Sequence, residues 1–455
     1  MKKEDILKLD AKYVWHPCAQ MKDYESFEPL TISHAKGSLL YTTENREIID
    51  AISSWWCKGL GHGHPAIVAK VKEQLDLFEH VIFANTASEV MSKVSEKIAN
   101  INPKLNKVFY ADNGSTAVEI AMKLSLQYHA QTGQSEKNQF MALRNGYHGE
   151  TILTLAAGDC ELYTKPYRSM LPTVEKIDIE YCNKGMIDEK WLDYGDDAWE
   201  KVLEQIEPAK KTLSAIVLEP LCQGAGGMLM YSADLLKRLR QWTEENGIHL
   251  IADEILTGIG RTGRMMACEY GDVTPDFACF SKSLTSGFAP FSCTVCSEEV
   301  YNAFYDDYFS GKAFMHSNTF TGYPLGAAAA LAVFDIFENG DPNNNGKKYL
   351  QDADSDSLFL RSLMENVAEE TNALTNIRNL GYLCAADLVN PVTKEKLNPK
   401  ERSGYQIYQQ AVKLGALLRP LGDTLYFMPP FNTDAGTLEK LAKITVTAVN
   451  NVLKK

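Results

Sequence analysis

A lysine at the end of an apolar run is the first residue in the sequence that could do chemistry. The stretch FACFSKSLTSG, residues 277–287, begins as a strand-like run and reaches Lys282 just before a glycine-containing turn. An ammonium group at the end of a buried strand loses hydration, and this cost is tolerated only when the charge is paired or removed. Lys282 is therefore either a strand-end lysine whose head reaches water or a deprotonated amine able to form an imine with a carbonyl compound.

Three other strand-like runs are also followed by residues that could take part in catalysis or ligand binding. Gly114 and Ser115 follow KVFYAD and open a helix, where free backbone N–H groups form either a phosphate site or an ordinary helix cap. Tyr147 follows QFMALRNG and could pack in the core or stack on a flat ring. Asp253 closes the apolar run IHLIA, where a carboxylate is costly unless it caps a helix, pairs with Arg261 or binds a ligand.

Together these strand ends supply the groups needed to hold pyridoxal 5′-phosphate (PLP). The helix N-terminus would bind the phosphate, Tyr147 would fix the plane of the ring, and Asp253 would keep the pyridine nitrogen protonated. Lys282 would carry the cofactor aldehyde as an imine. The set therefore predicts PLP as the cofactor and gives the lysine a chemical purpose.

The elements that must position these residues alternate between short apolar strands and helices. Apolar residues at spacings of three and four predict a helix over 116–130, and a second helix is predicted over 233–246. This alternation is typical of an α/β fold with a mostly parallel central sheet covered by helices. In open sheets of this kind, ligands bind beyond the carboxyl ends of the strands. Strands are predicted at 107–112, 139–146, 213–220, 248–254, 276–281 and 424–430.

The length of 455 residues predicts more than one lobe. The turn-rich stretch NGDPNNNGKK, residues 339–348, is typical of a break between elements. We therefore expect a large PLP-binding domain over 55–330 and a smaller α+β domain over 331–455. The N-terminal segment over 1–54 is expected to join the small domain. Residues 179–200 are acidic and aperiodic, which predicts a surface excursion.

Composition limits the class of partner and the compartment. The net charge of −13 disfavours a nucleic-acid partner, and no apolar run reaches the length needed to cross a membrane. Acidic and polar residues occupy the place where the N-terminus MKKEDILKLD would need the apolar core of a signal peptide. The ten cysteines are scattered without a CxxC pair, which indicates reduced thiols in a cytoplasmic protein and predicts no metal site.

Two linked motifs resemble the class III, fold-type I aminotransferases. They are LIADEILTGIGRTGRMMACE at 250–269 and PDFACFSKSLTSG at 275–287. Further motifs resemble the branch of that family that converts 8-amino-7-oxononanoate to 7,8-diaminononanoate in biotin biosynthesis, and they run through nearly the whole chain. These motifs are VWHPCAQM at 14–21, ISSWW at 52–56, ADNGSTAVEIAMK at 111–123, RNGYHGET at 144–151, EPLCQGAGGM at 219–228, HSNTFTGYPLG at 316–326 and LLRPLGDTLYFMPP at 417–430.

On the cofactor side, the resemblance implies one role for each residue derived above. Lys282 would be the imine-forming lysine and then the acid/base that moves a proton between substrate and cofactor. Asp253 would pair with the pyridine nitrogen, and Gly114 and Ser115 would bind the phosphate. Tyr147 would lie against the ring and border the substrate. The implied reaction is a ping-pong transamination.

The resemblance also implies substrate residues and a homodimer with shared active sites. Trp55 would form an aromatic wall, and Arg419 would bind the carboxylate of the keto substrate with its guanidinium fork. Ser317 would lie on the substrate side. Asn318 and Thr319 would lie on the cofactor side, with Thr319 reaching the phosphate of the neighbouring subunit. Without the resemblance, Trp55 would be assigned to the core and Arg419 to a surface ion pair.

The chain departs from the family pattern in three motifs. Cys18 stands where an aromatic residue, commonly tyrosine, follows WHP, and Glu150 stands where GYHG is usually followed by aspartate. Ser317 and Asn318 stand in place of Gly-Pro. The cofactor chemistry is untouched, whereas Cys18 and the Ser317–Asn318 pair bear on how the substrates are held. The amino donor is therefore open between S-adenosylmethionine, which most of the branch uses, and L-lysine, and we expect S-adenosylmethionine.

Two other functions compete with this interpretation. The first is another class III ω-aminotransferase acting on a different terminal amine, which the SSWW motif and Arg419 disfavour and Cys18 allows. The second is a catalytically silent binding protein on the same fold, which the presence of both Lys282 and Asp253 disfavours.

Overall fold

The computed structural model describes residues 1–454. The α-helices are α1 (Lys3–Tyr13), α2 (Ser53–Trp56), α3 (Pro65–Leu75), α4 (Glu89–Ala99), α5 (Gly114–Gln131), α6 (Ile152–Ala157), α7 (Glu161–Thr164), α8 (Asp196–Ile206), α9 (Ala233–Glu245), α10 (Glu298–Asn302), α11 (Pro324–Asn339), α12 (Tyr349–Thr371), α13 (Ser403–Leu414) and α14 (Ala435–Leu453). The strands are β1 (Ile32–Lys36), β2 (Leu39–Thr42), β3 (Glu47–Asp50), β4 (Lys107–Ala111), β5 (Gln139–Leu143), β6 (Glu175–Ile177), β7 (Leu213–Leu218), β8 (Cys222–Gln223), β9 (Leu229–Met230), β10 (His249–Asp253), β11 (Phe277–Phe280), β12 (Ser292–Cys296), β13 (Leu374–Leu380), β14 (Leu383–Leu388), β15 (Ala416–Leu417) and β16 (Thr424–Phe427).

A seven-stranded sheet of order β4–β12–β11–β10–β7–β5–β6 forms the centre of the fold. Only β12 runs antiparallel to its neighbours, and the other pairs in this sheet are parallel. Alternate residues of β7 face two different clusters: Ala215 and Val217 pack with α5, whereas Ile216 and Leu218 pack with α9. Helices therefore cover both faces, and the predicted α/β fold with a mostly parallel sheet is confirmed.

The predicted strands and helices of the centre are confirmed with small changes at their ends. The helix predicted over 116–130 begins two residues earlier, at Gly114, because the Asn113 side chain caps it. Strand β12, SCTVC, has no counterpart in the prediction, because its small and polar residues give it neither an apolar run nor an alternating pattern.

The surface excursion predicted over 179–200 is wrong in part. Trp191 and Tyr194 are 4 % and 3 % exposed, and the Trp191 ring lies 5.9 Å from that of Tyr270. The acidic residues of this segment are typical of an exposed loop, so the sequence did not predict that its two aromatic side chains are buried. The segment therefore packs on the main body through its aromatic side chains and leads into α8.

Two smaller sheets involve the C-terminal part of the chain. In the sheet β1–β2–β3–β15, strand β15 lies parallel to β3, with Leu417 opposite Asp50. The other sheet has the order β13–β14–β16. The predicted domain boundaries at 54/55 and 330/331 stay predictions. None of the helices within residues 1–454 combines the length and the apolar content needed to cross a bilayer.

Candidate active site

Lys282 lies in the short turn that follows β11. Its backbone is in the left-handed region, with a φ of 43°, which is uncommon for a residue with a β-carbon. Burial lowers the pKa of the Lys282 ammonium, and the carboxylates of Asp253 and Glu219 oppose that shift. The Nζ atom lies 5.0 Å from the centroid of the Trp56 ring. A lowered pKa enriches the neutral, nucleophilic amine, which favours the reactive-amine interpretation over that of a lysine reaching water.

Asp253 ends β10, the strand beside β11, and lies opposite Cys279 in the register of the two strands. Because parallel neighbours end at the same edge of a sheet, Asp253 and Lys282 share that edge. The Asp253 Oδ2 atom lies 2.8 Å from Nδ1 of His148, and Oδ1 accepts a hydrogen bond from the N–H of Ile255 at 3.2 Å. The carboxylate is therefore buried, oriented by a histidine and part of the turn that ends its own strand.

Arg261, the alternative partner of Asp253, is bound elsewhere. Its guanidinium donates hydrogen bonds to the carbonyl oxygen of Pro429 at 3.0 Å and to the hydroxyl of Ser53 at 3.2 Å. Its Cζ atom lies 4.5 Å from the centroid of the Phe431 ring. The Asp253–Arg261 salt bridge considered from the sequence is therefore wrong, because carbonyl, hydroxyl and aromatic groups surround this guanidinium.

His148 and Glu219 are site residues to which the sequence analysis gave no role. Glu219 follows β7, and its carboxylate accepts hydrogen bonds from the N–H groups of Tyr147 and Gly224, both at 2.9 Å. Burial raises the pKa of Glu219 to about 7, against the lowering effect of His148 and with a contribution from the charge of Asp253. The sequence signal that could have identified Glu219 is the one that identified Asp253: an acidic residue directly follows a buried apolar strand.

The phosphate cradle is predicted at the N-terminus of α5. The N–H groups of the first turn of a helix have no partner inside the helix. In α5 the Asn113 side chain accepts a hydrogen bond from one of them, the N–H of Thr116, at 2.9 Å. A β-carbon at Gly114 would lie 2.7 Å from Cδ1 of Ile255, so glycine permits the close approach of α5 to the segment after β10. The cap and the anion site are compatible, because the cap engages Thr116 and the anion site would use Gly114 and Ser115.

The loop that carries Tyr147 is attached to this cradle. The Ser115 hydroxyl accepts hydrogen bonds from the N–H groups of Glu150 at 2.7 Å and Thr151 at 3.1 Å. Gly149 has a φ of +116°, and a β-carbon there would meet Ser115 Oγ at 2.0 Å, so the position requires glycine. The Tyr147 hydroxyl donates to Glu150 at 3.0 Å, and burial raises the pKa of this phenol. Tyr147 is therefore a neutral phenol held next to the cradle.

Trp55 and Arg419 lie together near the surface. Trp55 is 49 % exposed, and the Arg419 Cζ atom lies 5.4 Å from the centroid of its ring. Arg419 donates to the carbonyl oxygen of Cys18 at 2.9 Å. Trp56 points the other way: it is 7 % exposed, and its Nε1–H donates to the hydroxyl of Tyr426 at 2.9 Å. Assigning Trp55 to the core would therefore be wrong, and Arg419 pairs with a carbonyl and a ring, not with a surface carboxylate.

Ser317, Asn318 and Thr319 lie in the segment between α10 and α11 and make local contacts. The N–H of Asn318 donates to Oγ1 of Thr321 at 3.0 Å, and Ser317 and Thr319 are exposed. Within residues 1–454 no hydrogen bond joins these three residues to Lys282. The single chain therefore does not assemble them with the rest of the predicted site.

The groups at the sheet edge fit PLP. The N-terminus of α5 offers N–H groups to a phosphate, Asp253 offers a carboxylate to a pyridine nitrogen, and Lys282 offers an amine to an aldehyde. The Nε2 atom of buried His148 makes no hydrogen bond to any residue within 1–454. A buried polar atom without a protein partner is costly, and a bound polar group beside it would remove that cost.

Comparison with known proteins decides the family, because residues 20–449 match the family described as aminotransferase class-III. The chain belongs to the class III aminotransferases. This aminotransferase is 36 % identical over 437 residues to the adenosylmethionine-8-amino-7-oxononanoate aminotransferase of Helicobacter pylori, covering 94 % of each chain. It is also 36 % identical over 429 residues to the enzyme of the same name from Synechococcus elongatus, covering 92 % of this chain and 94 % of that one.

Solved structures agree with the family assignment. The crystal structure of adenosylmethionine-8-amino-7-oxononanoate aminotransferase from Methanocaldococcus jannaschii matches this aminotransferase with a TM-score of 0.90 at 26 % identity, covering 99 % of this chain and 100 % of that one. An amine transaminase from an uncultivated Pseudomonas species in its PLP-bound form matches with a TM-score of 0.86 at 27 % identity, covering 97 % and 98 %. The predicted family, fold-type I architecture and PLP cofactor are thereby confirmed.

Proposed function

We propose that this aminotransferase moves an amino group from S-adenosylmethionine to 8-amino-7-oxononanoate, giving 7,8-diaminononanoate for biotin biosynthesis. The names of the relatives from Helicobacter and Synechococcus support this acceptor. The observation that carries the proposal is that the chain combines an amine at Lys282, whose pKa is lowered by burial, with an exposed guanidinium at Arg419. The acceptor has matching groups, a ketone at its reacting end and a carboxylate at its far end.

Bound PLP supplies an electron sink for the charge that develops when a proton leaves the substrate carbon. The Lys282 amine would remove that proton and return it to the cofactor side, a role that suits an amine whose pKa is lowered by burial. Asp253, oriented by His148, would place its negative charge at the pyridine nitrogen. The N–H groups of Gly114 and Ser115 would hold the phosphate, and Tyr147 would restrain the ring.

The acceptor carboxylate would bind at Arg419. The hydrogen bond to the Cys18 carbonyl and the contact with the Trp55 ring orient the guanidinium from two sides. A guanidinium has five N–H donors, so the bond to Cys18 leaves donors free for a carboxylate. A planar fork with donors to spare is suited to bidentate binding.

The sulfonium of S-adenosylmethionine would contact the aromatic rings that lie near Cys18. The rings of Tyr147 and Tyr163 have centroids 5.5 Å apart, and the Tyr163 hydroxyl lies 3.8 Å from Sγ of Cys18. Aromatic faces stabilise cations by cation–π contact. Tyr163 thus places a phenol beside Cys18, the position at which the family commonly has tyrosine.

The working unit would be a cytoplasmic homodimer with shared active sites. Large apolar side chains are exposed on two segments. In the segment after α3, Leu77 is 74 % and Ile82 is 68 % exposed. In the segment between α10 and α11, Phe309 is 96 % and Met315 is 87 % exposed. His80 and Phe320, with ring centroids 5.1 Å apart, join these segments. Exposed apolar surface on this scale is typical of a protein interface. Ser317, Asn318 and Thr319 lie between Met315 and Phe320 in the sequence, so they would lie at the proposed dimer interface.

The test is a transamination assay of the purified, PLP-loaded protein with 8-amino-7-oxononanoate as acceptor and each donor supplied separately. We expect 7,8-diaminononanoate with S-adenosylmethionine, identified by mass. Product with L-lysine alone would overturn the donor and keep the acceptor. Turnover of simple terminal amines with pyruvate, but none of 8-amino-7-oxononanoate, would replace the proposal by a general ω-aminotransferase.

A further inference from the structure

The turn that carries the two tryptophans has an uncommon backbone. Ser53, Ser54 and Trp56 have φ values of 50°, 59° and 64°, all in the left-handed region that favours glycine. Each such residue costs on the order of 1 kcal/mol or more and persists only where the surroundings determine it. Since none of the three is glycine, other groups must hold the turn in place.

Two groups hold this turn: the Ser53 hydroxyl, which donates to the carbonyl oxygen of Met428 at 2.8 Å, and the Asp50 carboxylate. Asp50 ends β3 and is fully buried, with a side-chain exposure of 0 %. Its Oδ1 atom accepts the N–H of Ser54 at 2.8 Å, and its Oδ2 atom accepts the Ser54 hydroxyl at 3.0 Å. Nε2 of His62 lies 2.8 Å from the same Oδ2 atom. The carboxylate therefore joins the strand end, the turn and the segment that carries His62.

The cluster of Ser54, His62 and Asp50 is not a nucleophile relay. In such a relay one histidine nitrogen accepts the serine proton while the other donates to the carboxylate. Here Nε2 of His62 faces both partners, at 2.8 Å from Asp50 Oδ2 and 3.5 Å from Ser54 Oγ. The serine hydroxyl is already donated to the carboxylate. The cluster is therefore suited to holding backbone and not to attacking a substrate.

The held turn sends neighbouring tryptophans to opposite sides. Trp56 is buried next to Lys282 and has its own anchor, the hydrogen bond from its Nε1–H to Tyr426. Trp55 is half-exposed and contacts the Arg419 guanidinium. Because Trp56 is anchored independently, loss of the Asp50 hydrogen bonds would chiefly release Trp55.

We propose that Asp50 and His62 are positioning residues that set the acceptor-carboxylate subsite through Trp55. The inference rests on the proposed function, because it concerns how the keto acid is held. Asp50 fixes the turn, His62 fixes Asp50, and the turn fixes the Trp55 ring against Arg419. Within residues 1–454, neither Asp50 nor His62 makes a hydrogen bond to Lys282.

The test compares His62→Leu, which cannot donate to Asp50, with His62→Gln, whose side-chain N–H can. We expect His62→Leu to raise the apparent Michaelis constant for 8-amino-7-oxononanoate about tenfold, the scale of one lost buried hydrogen bond. The rate of the donor half-reaction should stay within about threefold of wild type, and His62→Gln should recover most of the acceptor binding. His34→Leu, at an exposed histidine stacked on Tyr41, is the matched control and should change neither.

A double-mutant cycle separates positioning from a general loss of structure. In a Trp55→Ala background, His62→Leu should have no further effect on the acceptor Michaelis constant, because its effect runs through Trp55. The near-ultraviolet circular dichroism of the cofactor-free protein should change with His62→Leu and with Trp55→Ala, but not further in the double variant. Additive effects in the cycle, or an unchanged Michaelis constant in His62→Leu, would overturn the inference. Failure of the wild-type protein to aminate this acceptor would instead overturn the proposed function.

Discussion

His148 and Asp253 form a buried pair at the edge of the central sheet. Nδ1 of His148 lies 2.8 Å from Oδ2 of Asp253, and the two side chains are 0 % and 4 % exposed. Because the carboxylate accepts, Nδ1 must carry the proton of this hydrogen bond. The pair gives the site a carboxylate whose orientation is fixed before any ligand binds.

Asp253→Asn tests whether this charge serves the cofactor. We expect the variant to bind PLP but to lose roughly 10²-fold or more in turnover, the scale of removing an electrostatic partner from the centre of a reaction. PLP absorbance measures binding, and steady-state transamination measures turnover. Asp272→Asn, at an exposed position after β10, is the control and should behave as wild type. An unchanged rate in Asp253→Asn would leave Asp253 as a structural cap only.

Lys282→Ala should abolish turnover and leave the fold intact, because the variant lacks the amine that would both bind the aldehyde and move the proton. The measurement is steady-state transamination, with far-ultraviolet circular dichroism as the check on folding. Lys70→Ala, which removes an exposed lysine paired with Glu73, is the control and should retain activity. Sustained turnover by purified Lys282→Ala would remove the lysine from the mechanism.

Arg419→Ala should weaken the binding of the keto substrate more than that of the donor. Only the keto substrate brings the distal carboxylate, so its apparent Michaelis constant should rise by roughly 10-fold or more while that of the donor changes little. The two constants are measured separately under ping-pong conditions. Arg238→Ala, which breaks surface ion pairs with Asp234 and Asp196, is the control. Equal increases for both substrates would remove Arg419 from the acceptor subsite.

Hybrid dimers test whether Thr319 acts in the neighbouring subunit. We expect Lys282→Ala and Thr319→Ala to impair activity separately, and a purified hybrid dimer of the two to regain about half of the wild-type activity. The hybrid then contains one site with both an intact lysine and an intact threonine. Two different affinity tags on co-expressed chains allow its isolation. If Thr319 served its own subunit, neither site of the hybrid would be complete and activity would not return.

Glu219→Gln should change how the stability of the cofactor-free protein depends on pH. The folded state raises the pKa of Glu219 from its usual 4.5 to about 7, so the stabilisation by the bound proton is lost as pH rises through that window. The melting temperature of Glu219→Gln relative to wild type should therefore rise as pH increases from about 4.5 to about 7. Thermal unfolding across that range measures the difference, and a difference independent of pH would contradict a Glu219 that titrates there.

Sequence patterns predicted the central strands and the chemistry at their ends because buried strands leave clear apolar runs. Asp253 and Lys282 were recognisable as polar residues at the ends of such runs. The pattern could not show that His148, and not Arg261, contacts Asp253, because that choice depends on loops meeting across the sheet edge. The same limit applies to Trp55 and Trp56, whose opposite directions follow from φ values that are uncommon for non-glycine residues.

Opposite ends of the chain build the subsite proposed for the acceptor carboxylate. Leu417 pairs with Asp50 in neighbouring parallel strands, and Arg419 and Trp55 follow these strands in the sequence. Contacts between residues so far apart form late, since a long loop must close before they can contribute. Domains begin to fold as the chain is synthesised. A growing chain that has passed Thr319 therefore holds the residues proposed for the cofactor while Arg419 is still to be made, so the acceptor subsite is completed after the cofactor site.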